Sequence, residues 1–594
     1  MSTATGRTSV DGERKALQSG GLQPAGRDTL AGSRTTVGLG LLGSLTFWMS
    51  QPPLDWGPLG WVAPVFWLLL IRQPRLSGWR PYGVLYLVGV VYWGASTYWL
   101  TLPHWSAALG WVAMFLYLAC YVPLFVGLSR VAVHRLAVPL IVAAPVVWTG
   151  LELVRAHFAT GFLMAALAHT QYRWIGLIQV SDLVGAYGLS FLMMFISACL
   201  TMSLPGSLMG MGGRPAPRWP LAAGAAALIA ALAYGHFRTV DHPTRAGPKV
   251  ALIQGSIDTV FGGDPLRQRT AIYRQYINLS RQALHRDPGL DLLVWPESMY
   301  IVPLVLIDEG AFLPEEQLVQ GFHFPPAEAA AYQSEKRLPE AIDEWRAVGR
   351  AWFSQTAATI AEAAAAGRKD SSSTNKPALL LGLDCEHYRP GGLDRFNTSL
   401  YLNPQGEVID YYHKMHPVMF GEYVPLGNWF PALYRLTPLS GGLTAGSEPK
   451  AYEIAGARLT PNICYETILP HVIRRQVASL RDEGREPDIL ITQTNDGWFW
   501  GSAALDMHLI CGVFRAVECR KPLLIAANTG ISAHIDADGR ILAHGPRRET
   551  DTLIVRPQID ARLSGYVLAG DWFAWLCAAS SAGLALVGWK GWKR

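Results

Sequence analysis

Charged residues are scarce in this sequence, and their scarcity indicates its class. Asp, Glu, Lys and Arg make up 16% of the 594 residues, whereas 50% are hydrophobic, a balance too apolar for an ordinary soluble protein. Long basic blocks with interleaved aromatic residues are lacking as well, and the formal net charge is only +5. Nucleic-acid binding is therefore not expected, whereas a membrane portion is.

Paired cysteines are lacking too. The seven cysteines run from Cys120 to Cys577 without a C-x-x-C pair, which fits neither a disulfide framework nor a zinc knuckle. We expect most of them to be buried packing residues. His413 and His416 form an H-x-x-H pattern, but no third ligand follows at a suitable spacing, so we expect neither a metal nor a cofactor.

Long apolar runs dominate the chain up to about residue 236. A helix needs roughly 20 apolar residues to cross a bilayer, and fewer inside a bundle. The sequence predicts about eight transmembrane spans, at 37–50, 57–71, 82–102, 108–129, 137–154, 187–204, 219–236 and Asp571–Trp589. The alternative is a buried helical core, which eight such segments with a consistent charge bias disfavour.

Basic residues predict the orientation of these spans, because cytoplasmic loops retain Lys and Arg. The connections near Pro52 and Pro103 carry none, and Arg155 and Arg173 are exceptions to the alternation. The basic tail and loops contain Arg7, Arg14, Lys15, Arg27, Arg34, Arg72, Arg75, Arg80, Arg130, Arg135, Arg214 and Arg218. The pattern predicts a multi-pass membrane protein with both termini in the cytoplasm and the polar block on the opposite side, which for the inner membrane of a bacterium is the periplasm.

These patterns divide the chain into four predicted regions. Residues 1–36, rich in Gly, Ser, Thr and Arg, are typical of a disordered cytoplasmic tail rather than a signal peptide. Residues 37–236 are predicted to form an α-helical transmembrane bundle of seven spans, and residues 237–570 an extracytoplasmic domain. Residues 571–594 are predicted to form the final transmembrane helix and a cytoplasmic end.

The polar domain alternates short β-rich runs with helical stretches. Several runs are apolar throughout, as strands covered on both faces are. The predicted strands lie in KVALIQG, DLLVWPE, ALLLGLD, FNTSLYLN, RLTPNICYE, DILITQTN, PLLIAANTG and ISAHIDADG. The domain is therefore α/β or α+β, and the stretch AEAAAAGRKDSSSTNK indicates a helix followed by a surface linker.

Three strand ends carry side chains suited to chemistry: Glu297, Lys414 and Cys464. Ligand sites of α/β sheets gather at such ends. We expect a helix after Cys464 to lower the thiol pKa, Glu297 to accept the proton and Lys414 to stabilise an oxyanion. Taken alone, each of these residues is more often found in a packing, turn or solvated position, but together the three predict acyl transfer through a thioester.

The surrounding motifs resemble those of the nitrilase superfamily. They read VWPES, YYHKMHPVMFGEYVPLGNWFP, NICYE, TQTNDGWF and AANTGISAHID. More narrowly, FGEYVP and NTGIS between a multi-span bundle and a last span are similar to the bacterial apolipoprotein N-acyltransferase family. The resemblance implies a nitrilase-like αββα sandwich in which Glu297 is the general base, Lys414 the oxyanion stabiliser and Cys464 the nucleophile.

Supporting residues are implied by the same resemblance. Glu422 in FGEYVP would support the base, and Tyr465 and Glu466 would line the site beside the nucleophile. The loop with Tyr423 and Trp429 would be a mobile apolar flap, a composition that suits a lipid interface. The alternative is that this loop simply packs on the bundle.

Three segments depart from the pattern associated with the family, and one of them, GFLMAALAHTQY, keeps Gln171 but lacks the usual Pro-Trp and Gly-Tyr-Ser pieces. Residues 302–350 make a longer connection than expected after Glu297, and NDGWFWGSAALDMHL replaces a run that more often reads Asn-Asp-Ala-Trp-Phe-Gly with a downstream Gln-His. These departures concern flap contacts and substrate details, and they leave the three central residues in place.

The resemblance implies a two-step reaction. Cys464 takes a fatty acyl chain from a phospholipid, and the α-amine of a diacylglyceryl-cysteine apolipoprotein then attacks the thioester. The expected partners are the phospholipid donor, the apolipoprotein acceptor and the lipid bilayer, with the protein acting as a monomer. The alternatives are a membrane-tethered nitrilase-like amidase that hydrolyses a C–N bond with the same three residues, and a binding module in which Cys464 is inert.

Overall fold

A helical N-terminal region, an α/β domain and a C-terminal helix make up the computed structural model. It describes residues 27–76, 78–205, 217–240, 242–258, 265–311, 330, 338–366, 376–427, 429–437 and 441–592. The predicted tail lies mostly outside the described residues, but from Arg27 onward its end belongs to the first helix. Much of the long connection after Glu297 also lies outside the described residues.

The N-terminal region is built from helices joined by short turns. They are α1 (Arg27–Met49), α2 (Ala63–Arg72), α3 (Pro81–Ser96), α4 (Ala107–Leu118), α5 (Tyr121–Arg135), α6 (Leu140–His157), α7 (Ile175–Ile178), α8 (Ser181–Val184), α9 (Ala186–Met202) and α10 (Trp219–Thr239). Their interior is aromatic, with Trp67 stacked on Trp148 at 5.5 Å between ring centroids.

Within the described residues, four helices are long and apolar enough to cross a membrane. They are Ala107–Arg135, Leu140–His157, Trp219–Thr239 and Trp572–Lys590. The number rises to five if Ile175–Val184 and Ala186–Met202, which meet at a bend of 118°, form one broken span. The structure therefore does not clearly contain the eight spans that the sequence predicts.

The difference arises because apolar runs continue beyond the ends of helices. The predicted span 57–71 is a 3-10 turn followed by α2, which has only ten residues and ends at Arg72. The predicted span 82–102 covers α3, which has 16 residues from Pro81 to Ser96, and a separate 3-10 turn. A hydropathy profile counts such apolar turns as part of a span, although the helix has already ended.

The outer surface of the bundle is apolar. Leu87, Val91, Leu109, Ile229 and Leu586 are 59–65% exposed. Large apolar side chains at this exposure are costly in water but stable against lipid tails. The N-terminal region is therefore that of a membrane protein.

The α/β domain contains fifteen strands within the described residues. They are β1 (Thr244–Ala246), β2 (Val250–Gln254), β3 (Leu292–Val294), β4 (Leu304–Ile307), β5 (Ala378–Arg389), β6 (Gly392–Leu402), β7 (Val408–His413), β8 (Tyr452–Ile454), β9 (Ala457–Ile463), β10 (Ile489–Thr494), β11 (Leu523–Ala527), β12 (Ala533–Ile535), β13 (Ile541–His544), β14 (Asp551–Val555) and β15 (Gln558–Asp560). Each of the eight predicted runs overlaps one of these strands, which confirms that part of the prediction.

Two large sheets and one small one are formed. The first has the order β14-β2-β3-β5-β6-β7 with β4 added on β5, the second β13-β12-β11-β10-β9-β8, and β1 pairs with β15. Strands β2, β3 and β5 run parallel, as do β9, β10 and β11. The parallel strands of each sheet therefore deliver their carboxyl ends to one edge.

The remaining helices cover the sheets, except the last one, which packs against the bundle. They are α11 (Pro265–Arg286), α12 (Leu338–Ala366), α13 (Pro470–Asp482), α14 (Ala504–Cys519), α15 (Gly565–Ala569) and α16 (Trp572–Trp592). The two large sheets pack face to face around a shared core that includes Leu252, Leu380, Leu459 and Ile491. Helices α11 and α12 cover the first sheet, and α13, α14 and membrane helices cover the second, which is an αββα sandwich.

A buried ion network fixes this domain to the bundle. Asp182 in α8 accepts hydrogen bonds from Arg520 Nε at 2.8 Å and Nη2 at 2.6 Å, and from Arg238 Nε at 2.7 Å. Arg520 also donates to Asp538 at 3.1 Å. Charges paired in this way hold the sandwich in one position on the membrane helices, because leaving any of them unpaired in the interior is costly.

Candidate active site

The three predicted residues meet at one edge of the sandwich. Glu297 follows β3, Lys414 directly follows β7, and Cys464 directly follows β9. The Lys414 ammonium lies 3.3 Å from Glu297 Oε1, and the charges of both groups act on the Cys464 thiol. Glu297 and Lys414 are buried, whereas Cys464 as a residue is partly exposed, so of the three it is the residue most open to a substrate.

Both oxygens of the Glu297 carboxylate are held. Oε1 accepts a hydrogen bond from Asn397 Nδ2 at 2.6 Å, and Oε2 accepts one from the Asn495 backbone N–H at 2.9 Å. Burial raises the pKa of Glu297, and although Lys414 lowers it, the net pKa stays above the ordinary value. Glu297 is thus a fixed carboxylate with more basicity than a surface glutamate.

Lys414 is bound between two carboxylates. Its ammonium donates to Glu422 Oε1 at 2.7 Å as well as to Glu297. Burial alone would lower the pKa of Lys414, but the Glu422 and Glu297 carboxylates raise it above its ordinary value. The side chain therefore stays protonated, as a group that faces a developing negative charge must.

Glu422 lies where the resemblance implied, beside the base. It accepts from Asn397 Nδ2 at 3.3 Å, and its other oxygen accepts from the Val418 backbone N–H at 2.7 Å. The Glu422 charge also raises the pKa of Glu297. Its effect on the base is thus both electrostatic and geometric, through the shared partners Lys414 and Asn397.

Cys464 has a left-handed backbone, with φ of 52°, and begins the 3-10 turn Cys464–Ile468. The helix α13 starts only at Pro470, so no α-helix N-terminus lies at the sulfur. Burial and the Glu297 carboxylate raise the pKa of the Cys464 thiol well above its ordinary value, and Lys414 lowers it only in part. The prediction of a helix-lowered pKa is wrong, and the resting thiol needs a base.

The two residues after the nucleophile, Tyr465 and Glu466, point to different surroundings. Glu466, predicted to line the site, is fully buried and accepts hydrogen bonds from the Ile463 and Met415 backbone N–H groups at 2.7 and 2.8 Å. It joins the turn of Cys464 to the segment after Lys414. Tyr465 instead faces the bundle, where its hydroxyl donates to the Gly161 carbonyl.

The first part of the predicted flap packs on the bundle, whereas its aromatic tip is exposed. Phe420 packs on Gly110 of α4 so closely that an added Cβ there would lie 3.1 Å from it. Tyr423 is half-buried and close enough to influence Tyr465 electrostatically, whereas Trp429 is 79% exposed. The loop thus has a packed base and a free aromatic tip.

Three asparagines of the site were not identified from the sequence. Asn397 lies within β6, and Asn495 and Asn528 follow β10 and β11. Asn528 Nδ2 donates to Asn495 Oδ1 at 2.9 Å, which fixes the backbone N–H that holds Glu297. A signal was present for the last two, because each ends a strand in a quoted motif, whereas Asn397 looked like an ordinary strand residue.

A histidine beneath the nucleophile was also missed. His508 Nε2 lies 3.1 Å from the Cys464 carbonyl oxygen, and Nδ1 lies 3.1 Å from Asp496 Oδ1. Both ring nitrogens therefore face hydrogen-bond acceptors, a backbone carbonyl and a carboxylate. Burial lowers the pKa of His508, but Asp496 and the Cys464 carbonyl outweigh it and raise the pKa, consistent with an imidazolium.

The two histidines that flank Lys414 do not converge. His413 Nδ1 bonds Thr398 Oγ1 at 2.9 Å, and His416 Nε2 bonds the Thr160 carbonyl of the bundle at 2.7 Å. Burial lowers the pKa of His413 to about 4. His413 is thus a neutral packing residue, and His416 is a contact between the domain and the bundle.

The sequence matches two families in the order that this architecture requires. Residues 43–199 match the apolipoprotein N-acyltransferase N-terminal domain, and residues 249–563 match the carbon-nitrogen hydrolase domain. A protein of Rhodopirellula baltica named apolipoprotein N-acyltransferase is 31% identical over 91% of this chain and 95% of its own length. The chain belongs to the apolipoprotein N-acyltransferase family.

A second relative agrees with this assignment. A Geobacter metallireducens protein of the same name is 33% identical over 80% of this chain and 79% of its own length. Among solved structures, an amidase from a Nesterenkonia species is 17% identical and covers 54% of this chain and 93% of its own, with a TM-score of 0.33. The two long matches, together with the N-terminal domain, favour the acyltransferase over the amidase alternative.

Proposed function

We propose that this protein transfers a fatty acyl chain from a phospholipid, through a thioester on Cys464, to the α-amine of a diacylglyceryl-cysteine apolipoprotein. The observation that carries this function is the meeting of Glu297, Lys414 and Cys464 directly against the membrane helices. Tyr465, the neighbour of the nucleophile, donates a hydrogen bond to Gly161 of the bundle. This contact supports a thiol that lies close to the lipid around those helices.

In the first half-reaction, Glu297 takes the proton of the Cys464 thiol. The sulfur forms a bond to the ester carbonyl carbon of the phospholipid, and the oxyanion faces the Lys414 ammonium. The ester C–O bond then breaks, and the leaving lysophospholipid oxygen takes the proton from Glu297. The raised pKa of the Cys464 thiol makes this base necessary.

In the second half-reaction, the α-amine of the apolipoprotein attacks the thioester carbonyl. An α-amino group has an ordinary pKa of about 7.7–8.0, so Glu297 needs only to receive one proton as the C–N bond forms. The C–S bond breaks, and that proton returns to the sulfur of Cys464. The flap that carries Tyr423 and Trp429 would exclude water, which otherwise hydrolyses the thioester.

We further propose eight membrane crossings, in which shorter apolar helices such as α2 and α3 are counted as spans. Basic side chains at the end of the bundle distant from the α/β domain support a cytoplasmic location for that end. Arg130 donates to the Leu70 and Ile71 carbonyls at 3.1 and 3.3 Å, and Arg135 donates to Gly588 near the end of α16 at 3.2 Å. The catalytic domain would then lie in the periplasm.

One chain supplies the whole site, so we propose that the protein acts as a monomer. The test of function uses the purified protein, vesicles of phosphatidylethanolamine and a synthetic peptide with a diacylglyceryl-cysteine at its N-terminus. Mass spectrometry should show a peptide heavier by one acyl group, and a peptide whose α-amine is already acetylated should not react. Release of free fatty acid alone, or of ammonia from amides, would contradict this function.

A further inference from the structure

A buried Asp–His pair holds the backbone of the nucleophile from the side of α14. His508 Nε2 lies 3.1 Å from the Cys464 carbonyl oxygen, and Nδ1 lies 3.1 Å from Asp496 Oδ1. His508 and Asp496 are each 4% exposed. Both ring nitrogens carry a proton in the imidazolium, the form that an adjacent carboxylate stabilises. In that form the ring donates to the carbonyl and to Asp496 at once.

Asp496 keeps the imidazole in one orientation. Its Oδ1 also accepts a hydrogen bond from Thr494 Oγ1 at 3.2 Å, and an added Cβ at Gly530 would lie only 2.3 Å from Oδ2. The carboxylate therefore has little room to turn away from His508. Because the imidazole ring is rigid, an Nδ1 held in this way also sets the position of Nε2 beside the Cys464 carbonyl.

The carbonyl that His508 contacts belongs to the same peptide group as the Tyr465 N–H. In a planar trans peptide the two point in opposite directions, so the N–H is directed away from α14. Tyr465 is the second residue of the 3-10 turn Cys464–Ile468. Its N–H has no acceptor within the turn, because a 3-10 bond reaches back three residues. Among the described residues it also donates to no backbone carbonyl outside the turn, so this donor next to the sulfur is available.

The segment that holds the base is anchored without His508. The Asn495 N–H donates to Glu297 Oε2 at 2.9 Å, and the Asn495 side chain accepts from Asn528 Nδ2 at 2.9 Å. Loss of the bond from His508 would therefore leave the base in place. The group that would be released is the peptide that follows the nucleophile.

We infer that His508 is a positioning residue that directs the Tyr465 N–H toward the oxyanion, as a second donor beside the Lys414 ammonium. The inference rests on the proposed function, since the oxyanion forms when the sulfur adds to an acyl carbonyl. Donors stabilise a developing charge best when their direction is fixed before the reaction. Cys464 has a φ of 52°, a conformation that a residue other than glycine keeps when its surroundings hold it. The bond from His508 is one such hold.

The test compares two kinds of reaction at the Cys464 sulfur. Acylation by an ester passes through an oxyanion, whereas alkylation by iodoacetamide is a displacement at a saturated carbon and forms none. The esters are phosphatidylethanolamine in detergent micelles and p-nitrophenyl acetate, which tests the inference independently of the lipid. The rate of each reaction is followed by intact-protein mass, and peptide mapping locates the added group on Cys464.

Two variants, His508→Gln and His508→Asn, carry the same amide on side chains of different length. The Gln amide can take the place of Nε2 and donate to the Cys464 carbonyl, whereas the Asn amide takes the place of Nδ1 and reaches only Asp496. His534→Asn is the matched control. His534 in β12 is also buried, at 6% exposed, and its Nε2 has no hydrogen-bond partner among the described residues.

We expect His508→Asn to slow acylation by both esters about tenfold or more, while its alkylation stays within about twofold of the unaltered protein. His508→Gln should keep acylation within about threefold, and His534→Asn should leave every rate unchanged. Unaltered acylation in His508→Asn, an equal loss of acylation and alkylation, or equal acylation of the Gln and Asn variants would overturn this role. If the unaltered protein is acylated by p-nitrophenyl acetate but never by phospholipid, the proposed function fails and the comparison at His508 still decides the inference.

Discussion

The Lys414 ammonium lies 2.7 Å from Glu422 Oε1 and 3.3 Å from Glu297 Oε1. The closer carboxylate is thus not the proposed base but the one that follows in FGEYVP. The Glu422 carboxylate balances the positive charge of the Lys414 ammonium. Glu297 therefore remains basic although a cation lies beside it. Glu422 raises the pKa of Glu297, whereas the Asn397 amide lowers it. Variants at these two positions should therefore shift the pH dependence of the reaction in opposite directions.

Glu422→Gln removes a negative charge that raises the pKa of Glu297. The pKa of Glu297 should therefore fall, and the acid limb of acyl-enzyme formation should move to lower pH. The maximal rate should drop roughly tenfold or more, because Lys414 loses its nearest partner. A pH series by intact-protein mass checks both effects, with Glu453→Gln as control because the Glu453 side chain is 76% exposed. An acid limb that stays in place would count against this role for Glu422.

Asn397→Ala should shift the acid limb in the other direction. The amide donates to Glu297 at 2.6 Å and so stabilises the ionised form, and its loss should raise the pKa of Glu297. At acidic pH the rate should fall roughly threefold or more, with less change at neutral pH. Ser298→Ala is the control, because the Ser298 hydroxyl bonds Asp384 rather than the base. A shift to lower pH would show that Asn397 does not stabilise the carboxylate.

Lys414→Ala should reduce acyl transfer on the order of 10²–10³-fold, as removal of one oxyanion donor does. The loss has two causes, since Glu422 and Glu297 would also face each other without a cation between them. Steady-state N-acylation of the lipopeptide is the measurement, and the exposed Lys376 provides a Lys→Ala control. Activity above a tenth of the unaltered protein would argue against contact between Lys414 and the oxyanion.

His508→Gln tests the proposed imidazolium. Its pKa is raised in the folded protein, so its contribution to stability is fully present below the unfolded pKa of about 6.5 and is lost as pH rises through the folded pKa. The variant should be less stable by roughly 1–3 kcal/mol at acidic pH and closer to the unaltered protein at alkaline pH. Thermal unfolding in detergent across pH measures this, with the exposed His285 as the His→Gln control. A pH-independent difference would mean that His508 is neutral.

The strands could be predicted because their signals are local, and the three central residues because the motifs around them together resemble those of a known family. Apolar runs that end in Glu297 or Cys464 show both the strand and the side chain at its end. The raised pKa of the Cys464 thiol could not be predicted, since it depends on burial and on Glu297, which lies far away in sequence. The role of Asn397 likewise depends on the register of β6 beside β7, which brings it next to Lys414.

Other features could not be predicted correctly, because the pattern of residue types does not reveal the backbone geometry. Glu466 looked like a lining residue, but the tight turn at Cys464 directs its carboxylate toward backbone N–H groups of the interior. The number of long apolar helices was overestimated for a related reason, since runs such as 82–102 contain a helix end and a turn. His508 gave no signal, because its partners Asp496 and Cys464 are brought to it only by the fold.

The most direct measurement is the mass of the protein after exposure to phospholipid without an acceptor. We predict a gain of one fatty acyl group, located by peptide mapping on Cys464 and removed by hydroxylamine, as thioesters are. The Cys464→Ser variant should gain nothing, because Glu297 is a weak base for a hydroxyl. An unmodified Cys464 after full exposure, or acylation that persists in the Cys464→Ala variant, would contradict a thioester mechanism at this residue.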